Sequence, residues 1–108
     1  MKDGLYSVFF RSNTQDFGAG VVSVKNDGVN GGDYAFYYQG QIISNKLKLH
    51  VKQFNPSGQS VFGPLNDFYL LLTVNEKDAS SYVLEGSLEG NSHLNLQVLA
   101  TKISDLIG

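Results

Sequence analysis

Polar and aliphatic residues alternate without a break along Lys46-Leu47-Lys48-Leu49-His50-Val51-Lys52. Successive side chains of a β-strand point to opposite faces, so this period of two puts Leu47, Leu49 and Val51 on one side and Lys46, Lys48, His50 and Lys52 on the other. A helix would scatter both sets around its circumference. The segment is therefore a strand with one dry and one wet face, and the rest of the chain repeats that pattern between turn signals.

Gly4 to Ser12 reads as a first strand with Tyr6, Val8 and Phe10 on one face, ending at the polar cluster Ser12 to Asp16. Phe17 to Lys25 reads as the second, with Gly18 and Gly20 on the face of Val22 and Val24, a spacing that suggests a bend or close backbone approach. Asn26-Asp27-Gly28 is a tight-turn signal. Asn30-Gly31-Gly32 is a glycine turn feeding an aromatic third strand, Asp33 to Gln39. Gly40 interrupts before Gln41 to Ser44, and Ser44-Asn45 turns the chain into the alternating segment.

Gln53 to Leu65, with Pro56 and Pro64, is the longest irregular connection, and Val61-Phe62 within it has the character of an anchor. Phe68 to Val74 is an apolar run suited to burial on both faces or to a subunit contact. We expect a dimer interface there or at the loop, through Val61, Phe62, Phe68, Leu70 and Leu72. Ser81 to Glu89 and His93 to Lys102 alternate again around Gly90-Asn91-Ser92, and Ser104 to Ile107 fits a helical turn.

Seven to eight short strands joined in sequence leave two open edges unless the sheet closes. The expected class is all-β, a small antiparallel up-and-down β-barrel comprising residues 1–108 as a single domain. At about eight strands the interior is filled by side chains or holds one small ligand, and the seven Phe and six Tyr favour filling.

A net charge of −2 argues against direct nucleic-acid binding, which needs a basic surface to displace counterions. Without Cys there is no disulfide framework and no thiolate chemistry. No signal-peptide core opens the chain, and no stretch approaches the ~20 apolar residues of a membrane helix. We expect a soluble cytoplasmic protein that does not engage a membrane.

Catalytic constellations are missing from the pattern. His50 and His93 lie on different strands without a second ligand at metal spacing, so no metal or cofactor is expected. Glu85 and Glu89 share a predicted strand face and invite an acid pair, although alternating carboxylates on such a face are usually solvated. Gly86-Ser87-Leu88-Glu89-Gly90 has the wrong spacing for a nucleophile elbow, and Gly28 to Gly32 lacks the Lys-Ser/Thr ending of a phosphate loop. What remains is binding. Lys46, Lys48, His50 and Lys52 form a basic strip that either docks an acidic partner or is a solvated face. Tyr34, Phe36 and Tyr38 share one face of the third strand, as core or as a cup for a small hydrophobic ligand.

Met1-Lys2-Asp3-Gly4-Leu5-Tyr6-Ser7, Gly31-Gly32-Asp33, Tyr38-Gln39-Gly40 and Leu49-His50-Val51, in that order and spacing, resemble the GrlR family. The likeness is clearest through Phe54 and thins to general strand pattern beyond Phe68. GrlR-type proteins are negative regulators of type III secretion genes in enteric bacteria. The resemblance implies a dimeric, lipocalin-like β-barrel without catalysis, which binds a transcription activator and keeps it off its promoter. It also implies partner contact at the turn after the Tyr-Gln-Gly strand; together with the basic strip read from the pattern, the candidate partner-contact residues are Ser44, Asn45, Lys46, Lys48 and His50. Where the family carries an acidic run at that turn, this chain reads Ile43-Ser44-Asn45-Lys46, uncharged to basic, so a partner that depends on the acidic run is not expected to dock in the same way.

Overall fold

The computed structural model describes residues 1–13, 18–58 and 65–108. Eight strands follow one another: β1 (Gly4–Ser12), β2 (Gly18–Lys25), β3 (Gly28–Gly32), β4 (Phe36–Ile43), β5 (Lys46–Gln53), β6 (Asp67–Glu76), β7 (Ser81–Leu88) and β8 (Asn91–Ser104). Each pairs antiparallel with its sequence neighbours, and β1 also pairs with β8, closing an up-and-down barrel without a free sheet edge. No described residue is helical. The alternation of β5 places Leu47 and Val51 in the interior and Lys46, Lys48 and Lys52 outside, and Tyr6, Val8, Val22 and Val24 likewise face the core.

The two ends of the barrel differ. One carries the short turns 26–27, 44–45 and 77–80, and their carbonyls are tied down by the next strand but one: Ile42 N–H donates to Asp27 O, Val74 N–H to Asn45 O and Lys102 N–H to Ser80 O, each at 2.8 Å. The amino terminus folds over this end. Its ammonium meets Asp27 Oδ1 at 3.1 Å, Lys2 N–H donates to Tyr82 Oη at 3.1 Å, and the fully buried Tyr6 donates its hydroxyl to Lys2 O at 2.7 Å. The other end holds the connections from β1 to β2, β3 to β4, β5 to β6 and β7 to β8.

Several expectations from the pattern change. Gly28 to Gly32 is itself a strand, and the reversal falls at residues 33–35. Gly40 does not interrupt: β4 runs through it to Ile43. Strands approach closely here, because a Cβ on Gly40 would stand 2.5 Å from Lys48 O and one on Gly31 would collide with Val21 O. These glycines allow tight pairing rather than breaking it. The apolar run of β6 is also divided: Phe68, Leu70 and Leu72 are buried inside the barrel, and Tyr69 and Leu71 face out. Inward side chains of a closed barrel cannot meet a second copy face to face, so those three are core residues rather than interface residues. Val61 and Phe62 lie outside the described residues. Ser104 ends β8, and no helical turn follows it.

Candidate functional site

The described side chains do not fill the interior. A cavity of about 340 Å³ runs along it, lined deep in the barrel by aliphatic side chains such as Val24, Leu47, Leu72, Leu84 and Val98, with the Met1 side chain at the closed end. A closed sheet of eight strands leaves room for one small molecule when the inward residues are mostly of medium size. The large inward rings sit toward the two ends, Tyr6 with Tyr82 at the closed end and Phe10, Phe36, Tyr38 and Phe68 at the other. Gly18 and Gly20, whose spacing suggests a close approach, make room for rings: a Cβ on Gly18 would lie 2.7 Å from the Phe10 ring, and one on Gly20 would crowd Tyr38. Phe10 then packs edge-on against Tyr38, centroids 5.9 Å apart.

The expected cup of Tyr34, Phe36 and Tyr38 lines this cavity, but unevenly. Phe36 and Tyr38 are buried, whereas Tyr34 is 70% exposed and touches the cavity from its rim, beside Ala35 and Gly58. The cause is Asp33. Its Oδ1 accepts the amides of Ala35 and Phe36, both at 2.8 Å, forming a turn that swings Tyr34 outward before β4 begins. Its Oδ2 accepts the Tyr38 hydroxyl. Burial, then the hydrogen bond and charge of Asp33, push the Tyr38 phenol well above its ordinary value, so it stays a protonated donor.

Asp33 and Tyr38 are thus the polar pair of an otherwise apolar chamber. The pattern put Asp33 at the start of a strand, with odd parity, and so on the face opposite Tyr38. The usable signal was an Asp directly after Gly-Gly, a residue that bonds its own downstream amides in turns.

The basic strip on β5 does face outward, but its neighbours answer its charge. Lys48 Nζ meets Glu89 Oε2 at 3.0 Å and lies 4.9 Å from the centroid of the Tyr69 ring. His50 Nε2 meets Asp67 Oδ1 at 2.6 Å and stacks on Tyr69 with centroids 4.5 Å apart, while Tyr37 meets it edge-on. Lys46 Nζ donates to Thr73 Oγ1 at 2.9 Å. Ser44 and Asn45 form the turn beside it, both exposed. The structure therefore brings the predicted partner-contact residues onto one patch, with Tyr37 and Tyr69 added to it by cross-strand pairing.

The two carboxylates do not form a site. Glu85 is exposed and takes a bond from Gln97 Nε2 at 3.4 Å, while Glu89 lies past the end of β7, paired with Lys48. His93 is exposed at the start of β8. Among the described residues no group of three His, Asp or Glu gathers as metal ligands. No protein-family model matches this chain, and no curated protein matches it. What the structure and the GrlR resemblance have in common is the eight-stranded antiparallel barrel.

Proposed function

We propose that this barrel is a non-enzymatic, cytoplasmic regulator of the GrlR type, a negative regulator of type III secretion genes that acts by binding a transcription activator as a homodimer. The observation that carries the reading is where the resembling residues sit. Met1 to Tyr6 close one end of the barrel through Asp27 and Tyr82, and Gly31 permits the β2–β3 approach. Asp33 and Tyr38 bond to each other, and Gly40 lets β4 approach β5. Each of these positions holds neighbouring elements of the barrel together.

The partner surface is the turn Ser44-Asn45 with Lys46, Lys48 and His50. An acidic segment on the activator would meet Lys46 and take the place of Glu89 and Asp67 at Lys48 and His50, beside the Tyr69 ring. Capture of tagged protein from the native host should recover a transcription regulator, and Lys46→Glu with Lys48→Glu should weaken that capture about tenfold. Recovery of no regulator, or capture indifferent to both reversals, counts against this reading. The dimer would use an outward face, since the interior residues of β6 are unavailable.

The cavity favours a second reading, a lipocalin-like barrel for a small hydrophobic molecule or lipid. An apolar chamber of about 340 Å³ with a few convergent polar groups is what such sites look like. Native mass spectrometry of protein purified from its host should then show a bound small molecule that leaves on mild denaturation. Protein that is ligand-free under those conditions and takes up no apolar probe argues the other way.

A further inference from the structure

The polar lining of the cavity selects the head group of what it holds. Among the described residues that line it, the polar side chains are Asp33, Tyr38 and the rim residue Tyr34, and no Lys, Arg or His is present. Asp33 carries negative charge. Its oxygens already accept two backbone amides and the Tyr38 hydroxyl, and Tyr38, having spent its proton on Asp33, offers only its lone pairs. The pair is therefore an acceptor site. A carboxylate or phosphate placed there meets like charge and no donor from the pair, only the exposed Tyr34 hydroxyl at the rim; a hydroxyl or ammonium completes the hydrogen bonding of Asp33 and Tyr38.

We propose that the cavity takes a single-tailed amphiphile whose neutral or cationic head donates a hydrogen bond to the Asp33–Tyr38 pair, a medium-chain alcohol or amine rather than a fatty acid. The inference rests on the ligand-barrel reading above. The tail occupies the aliphatic chamber toward Met1, and the head lies at the end marked by Ala35 and Gly58, where the lining residue Tyr34 is itself exposed. The volume suits about ten to fifteen non-hydrogen atoms, since a cavity of roughly 150 Å³ already holds a benzene.

Three probes of matched tail separate the possibilities: 1-octanol, a neutral donor; methyl octanoate, neutral without a donor; and octanoate, an anion. Each is titrated into the full chain at neutral pH, and binding is read from NMR shifts of the Leu72 and Val98 methyls and of the Ala35 and Phe36 amides. Octanol should bind about tenfold tighter than octanoate, with the ester between them. Asp33→Asn should bring octanoate toward octanol. Should that variant fail to fold, the order of the three probes on the unmodified chain decides alone. Octanoate or the ester binding as tightly as octanol overturns the head-group inference while the ligand-barrel reading stands. Interior methyls that respond to none of the three overturn the ligand-barrel reading itself.

Discussion

Tyr6 and Tyr38 both point into the barrel and are both held as neutral phenols, by different neighbours. Burial does most at Tyr6, followed by the charge and hydroxyl of Tyr82 and the charge of Asp3, and together they push it up to about 12. At Tyr38 burial again leads, with Asp33 adding its hydrogen bond and charge, and the shift is larger. A raised folded-state value means the contribution to stability is fully present below the unfolded value near pH 10 and lost as pH rises through the folded value. Unfolding free energy should thus hold steady to about pH 9.5 and then fall, Tyr6 alone accounting for a loss on the order of 2 kcal/mol by about pH 12. Urea titrations across that window check it. Tyr6→Phe should begin about 1 kcal/mol lower, because it loses the bond to Lys2 O, and then decline less steeply. Parallel curves for the two proteins would show that Tyr6 is not the group responsible.

Two hairpins of the closed end turn in two residues, Asn26-Asp27 and Ser44-Asn45, and all four residues have positive φ between 50° and 63°. That is the mirror-image turn whose twist matches paired strands, and Asn-Gly suits it best. Ser44 is the poorest fit of the four, since Ser gains little from the left-handed region. Ser44→Asn with Asn45→Gly should raise the unfolding free energy by about 1 kcal/mol, read from a shifted denaturation midpoint with unchanged slope. A lower midpoint would contradict the turn geometry.

Both turns were legible from residue type, as were β1, β5, β7 and most of β8, because period-two alternation between one dry and one wet face is a strong signal. Strand β3 was not. Four of the residues from Gly28 to Gly32 are neither aliphatic nor aromatic, and glycine reads as a break unless a neighbouring backbone is known to pass close by. The cup was half legible for a related reason. Parity assigned Tyr34, Phe36 and Tyr38 to one face, but the Asp33 turn resets the count, moving Tyr34 to the rim and bringing Asp33 to Tyr38. In β6, both faces are apolar, so alternation was silent about which residues were core.

A barrel closed by β1 and β8 has no edge to lend, so two copies cannot join by pairing strands and must meet through an outer wall or an end of the barrel. The outer wall offers an apolar row across four strands: Ala19 pairs with Phe9, Phe9 with Leu99, and Leu99 with Val83, all pointing outward. Phe9 is 50% exposed there and Val21, on the same strand as Ala19, is 46% exposed. By contrast Leu72 lies inside, 3% exposed. For the proposed homodimer the two positions should separate cleanly. Phe9→Glu puts a charge at the centre of the contact row, so light scattering at micromolar concentration should show a monomer, with unfolding free energy within about 0.5 kcal/mol of the parent monomer. Leu72→Ala removes core volume and should cost about 2–5 kcal/mol, while the folded fraction still associates. A parent chain that is monomeric under these conditions overturns the dimer. A Phe9→Glu variant that stays dimeric moves the interface elsewhere, to the outward side of β6 at Tyr69 and Leu71 or to the loop residues Val61 and Phe62 expected from the sequence.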